Sequence, residues 1–288
     1  MEENRERMTE LEIKSILIYP KRKHDVPAED FGRVVNELRP LGLPLYTTSL
    51  INADEEVKYL PPEEAFAKCD AAVVLGGDGT ILDAARFSWK TGTALLGVNF
   101  GTLGYLSELE IAECSLLGQM KNGKIEKRML LDAEVYGPDG ELLGNGLALN
   151  EVSICRKAPG TIIRMSVKCD GHPVGDFRAD GMLLSTPTGS TAYNLSAGGP
   201  IIDPKMDAIC FCPLAPHTLT LMRPILFSPD VTIEVEITKG NAAAACDSTM
   251  LDLPDGNCKV LVRKSEHTVK LLKLKDDGFY QVLLKKMK

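Results

Sequence analysis

The sequence predicts an α/β domain built on a parallel sheet, followed by an all-β domain of two packed sheets. Three observations predict it. Short apolar runs alternate with helix-period segments as far as about residue 128, and hairpin-type alternation with turn signals takes over after it. The length, 288 residues with 44% hydrophobic side chains, favours two cores over one.

The elements of the first half follow in order. Residues 13–19 form a short apolar run closed by Pro20, which suits a buried parallel strand. Residues 31–38 have helical spacing and stop before Pro40. A strand is expected at 43–48 and another at 70–75, where Ala71, Ala72, Val73, Val74 and Leu75 read as buried on both faces. A helix from about Thr80 to Lys90 and a strand at 94–98 complete a βαβ rhythm, hence a Rossmann-like sheet.

In the second half, residues 129–136, the turn Gly137-Pro138-Asp139-Gly140, and residues 141–149 read as strand, turn, strand. Residues 162–169 and 172–177 flank Asp170-Gly171 as a tight hairpin. Residues 231–238 alternate strictly, as a half-buried strand does, and Lys239-Gly240-Asn241 turns the chain back toward 242–246. A further strand is expected at 259–263 after Pro254-Asp255-Gly256. The texture is that of a β-sandwich.

Composition excludes several function classes. The net charge of -7 disfavours nucleic acid unless a basic stripe is present, and the short ones, Lys21-Arg22-Lys23 and the Lys285-Lys286-Met287-Lys288 end, read as solvated. The charged start lacks the apolar core of a secretory signal, and no stretch approaches the roughly 20 apolar residues of a membrane span, so a cytoplasmic protein is expected. The eight cysteines contain no Cys-x-x-Cys and the four histidines no H-E-x-x-H pattern, so reduced thiols are expected rather than zinc.

The strongest chemical signal is Gly76-Gly77-Asp78-Gly79-Thr80, between a buried strand and a helix. Glycines let N–H groups converge on phosphate at the carboxyl edge of a parallel sheet. An aspartate there repels phosphate, so it needs a reason: general base for an attacking hydroxyl, partner to a magnesium ion, or plain helix cap. Leu82 stands where a dinucleotide G-x-G-x-x-G needs a third small residue, which counts against a hydride-transferring dehydrogenase. Gly118 to Lys124 mimics phosphate-loop spacing, but Ile125 replaces the hydroxyl residue that would bind magnesium; it reads as a helix end and turn.

A second constellation runs from Asp180 to Asn194. A short strand leads into the hydroxyl-rich run of Thr186, Thr188, Ser190 and Thr191, then a short helix stopped by Gly198-Gly199-Pro200, with Ser190 as a natural N-cap. Such a segment serves ribose, phosphate and base, or merely builds a loop. Asn150-Glu151 ends an apolar strand, as a site edge or an ordinary strand end does.

Together these segments resemble the NAD kinase family: Gly76 to Thr80, the Asn150-Glu151 pair, and the long run from Asp180 to Pro200 stand in the family's order. The segment from Asn99 to Leu106, and Pro216-His217-Thr218-Leu219 with Arg223-Pro224-Ile225, are also similar to it. The glycine-rich motif is shared with lipid kinases and phosphofructokinases and fixes only phosphate chemistry; the run through Thr186-Pro187-Thr188-Gly189-Ser190-Thr191-Ala192-Tyr193 decides the acceptor.

The resemblance implies a kinase that phosphorylates the adenosine ribose 2′-hydroxyl of NAD from ATP or a related donor, with a divalent metal, Mg2+ expected, and no metal ligand assigned from the protein. It implies that Asp78 is the general base, that Gly76, Gly77, Gly79 and Thr80 face the donor phosphates, and that Asp78, Gly79, Tyr105, Asn150, Glu151, Thr188, Ser190, Thr191, Ala192, Tyr193, Asn194, Leu195 and Ser196 belong to the NAD pocket. Arg178 and Asp180 match positions near the nicotinamide half, and a homodimer or homotetramer is implied. The domains are expected at 1–128 with 270–288 returning to the first, and 129–269, with NAD binding between them. One departure stands out: Asp247-Ser248-Thr249 replaces the family's Asp-Gly-Gln, which puts contacts from that loop in doubt. A lipid kinase and a catalytically silent nucleotide-binding regulator are the rival readings; no basic amphipathic stretch supports the first and the intact Asp78 opposes the second.

Overall fold

The computed structural model describes residues 12–20, 26–50, 56–101, 104–217, 223–275 and 279–287. The basic run at 21–23, Thr102 and Leu103 of the segment after the glycine-rich motif, Thr218 and Leu219, Lys288 and most of the charged start lie outside the described residues. The chain divides into two compact units, Met1–Lys127 with Thr268–Lys288, and Arg128–His267.

The first unit carries the parallel sheet. β1 (Ile16–Pro20), β2 (Leu45–Thr47), β3 (Val57–Tyr59), β4 (Ala71–Leu75) and β5 (Ala94–Asn99) lie in the order β5-β4-β1-β2-β3, every pair parallel. β4 and β5 are buried at every position. Their continuous Ala, Val and Leu runs follow from that, because side chains on both faces must leave water. On one face Ile16, Ile18, Val73 and Leu96 pack with Phe31, Val34, Val35 and Leu38 of α1 (Ala28–Leu38) and with Leu117 and Met120. The last two belong to a 3-10 segment, Ile111–Asn122, opened by a reciprocal capping box between Glu110 and Glu113. α2 (Pro62–Lys68) and α3 (Asp78–Thr91) complete the unit, with Tyr19, Phe66 and Phe87 in ring contact.

α2, β3 and the two-residue β6 (Leu109–Glu110) lacked a sequence signal: each is short and partly polar. α3 starts at Asp78, two residues before the expected Thr80, because Gly77 rather than a hydroxyl residue is its N-cap. Gly118 to Lys124 is the end of the 3-10 segment and the start of the next strand, capped at Gly123.

The second unit is antiparallel throughout. β9 (Glu151–Arg156), β12 (Gly181–Ser185), β13 (Ile209–Leu214), β14 (Ile225–Phe227), β16 (Ala242–Cys246) and β17 (Thr249–Leu251) form one sheet, ordered β14-β13-β12-β9-β16-β17. β10 (Ile163–Cys169), β11 (His172–Ala179) and β15 (Ile233–Lys239) pair in the order β11-β10-β15, and β15 pairs β18 (Cys258–Lys273). β7 (Lys124–Tyr136) pairs β8 (Leu142–Ala148). Val152, Ile154, Met182 and Leu184 of the first sheet share a core with Met165, Val167, Val235 and Val260. The tight hairpin is present: Asp170 (φ 48) and Gly171 (φ 77) turn the chain between paired Cys169 and His172. β18 runs 16 residues, far beyond the expected 259–263; the remainder, Lys264 to Lys273, alternates too irregularly to announce a strand.

All eight cysteines are free thiols, six of them buried. Among the described residues no helix is long and apolar enough to cross a membrane.

Candidate functional site

In the first unit the glycine-rich loop is shaped by contacts that side chains would block. Gly76 sits at φ +154 with its N–H bonded to Val98 O, and a Cβ there would lie 2.2 Å from Thr80 Oγ1. Only glycine fits both the dihedral and the space. Gly77 caps α3, and Asp78 and Gly79 occupy its first turn, where N–H groups lack intrahelical acceptors and an anion is favoured.

Asp78 does not cap its own helix. Its carboxylate reaches the segment after β5: Oδ2 accepts the Tyr105 N–H at 2.9 Å, and Oδ1 accepts the Leu106 N–H at 3.1 Å and lies 3.4 Å from Ser107 Oγ. Gly104 makes the approach possible, since a Cβ there would stand 1.8 Å from Asp78 Oδ1. Its role had no signal in the sequence, where it is one of several glycines. Two main-chain donors thus orient the carboxylate, and Oδ2, with one partner among the described residues, retains a lone pair for an incoming proton. The Tyr105 ring lies 6.3 Å from that of Phe279 and 4.8 Å beneath Lys286 Nζ, both on α5 (Phe279–Lys286). Burial, then the Asp78 charge, raises the Tyr105 phenol above its ordinary value.

In the second unit Asn150 precedes β9 and Glu151 opens it. The carboxylate of Asp247, just past β16, accepts the N–H groups of Leu149 (2.9 Å), Asn150 (2.8 Å) and Glu151 (3.1 Å). Asp247 therefore is engaged despite the Ser248 and Thr249 that follow it. Burial raises its carboxyl above the usual range, with the three amide bonds opposing. Glu151 Oε2 is buried without a hydrogen-bond partner among the described residues, and burial, aided by the Asp247 charge, pushes its carboxyl up to about 7.

This shift has a stability consequence. An unfolded glutamate releases its proton near pH 4.3, whereas the folded chain keeps this one until about 7. Unfolding free energy therefore falls as pH rises between those values, by about 4 kcal/mol at most, and is level above them. Glu151→Gln is expected to flatten that part of the profile and to melt above wild type at pH 8. Thermal melts from pH 5 to 8 check it, and a wild-type slope in the variant would reject the assignment.

The hydroxyl-rich run divides in two. Ser190 is not the N-cap: it lies inside a 3-10 turn, Thr188–Thr191, with its fully buried hydroxyl 2.6 Å from Pro187 O and accepting the Ile202 N–H at 3.0 Å. Ala192 caps the following α4 (Tyr193–Ser196) instead, because the turn consumes the hydroxyl that would have done so. Asn194 is likewise fully buried, reaching Pro200 O, and Thr188 is buried beside Arg128. Gly189 packs on Asn150, whose carbonyl oxygen would be 2.1 Å from a Cβ. Thr191 and Ala192 are half-buried, while Tyr193, Leu195 and Ser196 are exposed.

Tyr193, Ser196 and Asp180 line a cavity of about 610 Å³ together with Cys155, Arg156 and Leu214. Arg156 holds Asp180 through two contacts, Nε to Oδ1 at 2.9 Å and Nη2 to Oδ2 at 3.1 Å. The sequence did not single out Arg156; only the cross-strand register of β9 and β12, Cys155 opposite Gly181, brings it there. Arg178 stands exposed on β11, opposite Arg164, and is not part of the cavity wall.

Residues 34–120 match the ATP-NAD kinase N-terminal domain and residues 149–274 the ATP-NAD kinase C-terminal domain. An NAD kinase of Caldanaerobacter subterraneus subsp. tengcongensis is 36% identical over 282 residues, 96% of this chain and 99% of that protein. An NAD kinase of Nitrosospira multiformis is 42% identical over 230 residues, 78% of this chain and 77% of its own. Among solved structures, an NAD kinase from Archaeoglobus fulgidus in complex with ATP is similar at 26% identity and a TM-score of 0.72, covering 94% of this chain and 97% of that one.

Proposed function

Since the chain belongs to the NAD kinase family, we propose that it transfers the γ-phosphoryl group of ATP to the 2′-hydroxyl of the adenosine ribose of NAD, giving NADP and ADP. The observation that carries the chemistry is the Asp78 carboxylate, fixed by two main-chain N–H groups at the start of a helix behind a glycine-rich turn. In the reaction the ribose oxygen forms a bond to the γ-phosphorus, the bridge to the β-phosphate breaks, and the hydroxyl proton passes to Asp78. A hydroxyl is a poor nucleophile at neutral pH, so a positioned base contributes roughly a hundred- to ten-thousand-fold in rate. The N–H groups at the start of α3 steady donor phosphates, which gain charge as the bridge breaks.

In the second unit, Asn150, Glu151, Asp180, Tyr193 and Ser196 are the polar and aromatic groups we assign to dinucleotide recognition, with Thr191, Ala192 and Leu195 beside them. Thr188, Ser190 and Asn194 support this surface from within. The unpartnered Glu151 oxygen suits a ribose hydroxyl, which supplies the missing donor. A divalent ion, Mg2+ by expectation, neutralises triphosphate charge when bound. Its ligands are assigned mostly to the triphosphate, and no step is assigned to it. A cytoplasmic homodimer or homotetramer is the assembly we propose, and light scattering reads its size.

The test is NADP formation from NAD with Mg-ATP, run beside a diacylglycerol acceptor. Formation of NADP alone is the expected result. Lipid phosphorylation instead, or calorimetric NAD binding with no NADP under any metal, would reject the reading.

A further inference from the structure

We propose that Asp247 is a positioning residue for the dinucleotide site, fixing the main chain at Leu149–Glu151 so that the Asn150 and Glu151 side chains face substrate. The inference rests on the function proposed above and adds a residue to which neither the motifs nor the family matches assign a role.

Three features single Asp247 out. It is a non-glycine residue at positive φ (φ 50), a conformation that aspartate tolerates but that costs free energy unless its surroundings enforce it. Its carboxylate receives three consecutive main-chain N–H groups, from Leu149, Asn150 and Glu151, and its own N–H donates to Glu151 O at 2.9 Å. In the ladder Cys246 lies opposite Val152, so Asp247 stands where the next main-chain pair would form. There a side chain replaces the missing strand and gathers donors that one carbonyl could not.

The carbonyl side of the same strap is held separately. Thr186 Oγ1 donates to Leu149 O at 2.6 Å, the Thr186 N–H donates to Asn150 O at 2.8 Å, and Gly189 closes against Asn150. Every main-chain polar group from Leu149 to Glu151 is therefore committed, and what the strap has left to offer are its side chains. Ordinary stability does not demand an ionisable group for this task. A buried carboxylate beside Glu151 is electrostatically unfavourable, since burial raises both carboxyls and the Asp247 charge raises that of Glu151 further. An asparagine would avoid the charge but has one acceptor oxygen, and its NH2 would face an N–H.

Asp247→Asn tests the role in the full-length protein. The expected result is a folded variant whose KM for NAD rises about tenfold or more while its KM for ATP stays within about twofold. Asn150→Ala and the double variant complete a cycle: if Asp247 acts through the strap, the two losses are strongly non-additive. An Asp247→Asn protein with wild-type KM for NAD, or losses that simply add, would overturn the proposal. Should Asp247→Asn not fold, Thr186→Val loosens the same strap from its other side; the same split is expected, and unchanged NAD KM there overturns it too. A wild-type protein that makes no NADP at all points instead to failure of the proposed function.

Discussion

Asp78→Asn is expected to lower kcat by about a hundred- to ten-thousand-fold, with KM for both substrates changed far less. The substitution is nearly isosteric, so the reacting groups stay where they were while the proton acceptor is lost. The structure adds a second, smaller effect. Oδ1 and Oδ2 both receive main-chain N–H groups, and a carboxamide must turn its NH2 toward one of them. An unmet donor pair of this kind costs about 1–3 kcal/mol, which appears as a lower melting temperature and not as a rate of phosphoryl transfer. Measuring kcat and thermal stability together separates the two. Turnover within about threefold of wild type would take Asp78 out of the chemistry, since removing a positioned base is worth at least a hundredfold.

The second large effect is expected at a residue with no functional group. Gly104→Ala places a methyl carbon 1.8 Å from Asp78 Oδ1, far inside contact distance. Either the carboxylate or the segment from Gly104 to Ser107 must move by more than an ångström, and a displacement of about 1 Å at a reacting group costs on the order of a hundredfold in rate. The expected variant folds, binds NAD nearly normally and turns over about a hundredfold more slowly. Ser107→Ala is the mild comparison, because it removes only a 3.4 Å contact to the same oxygen and leaves both amides in place. Equal losses in the two variants would show that crowding at Gly104 is not what matters.

The fold was largely legible where burial leaves a continuous imprint. The apolar runs of β4 and β5, and the strict alternation of β15, identify a parallel sheet and an antiparallel one without any partner being known. The glycine-rich turn was legible because its residue types are unusual wherever they occur. What escaped was information carried by distance. Gly104 matters through Asp78, whose bonded neighbour Tyr105 is 27 positions away, and Asp247 matters through residues 96 to 98 positions away. Arg156 meets Asp180 through strand register alone. Ser190 shows the opposite error, a residue type with an obvious local use whose hydroxyl had already been claimed by Pro187 and Ile202.

The resting place of Tyr105 has a practical side for anyone handling this protein. Phe279 and Lys286 press on its ring from the last helix, and the Tyr105 N–H holds Asp78. Trimming the Phe279 ring to alanine would therefore loosen the segment that aims the base without touching the base itself. Comparing turnover of Phe279→Ala with wild type is a cheap gauge of how firmly α5 steadies the chemistry.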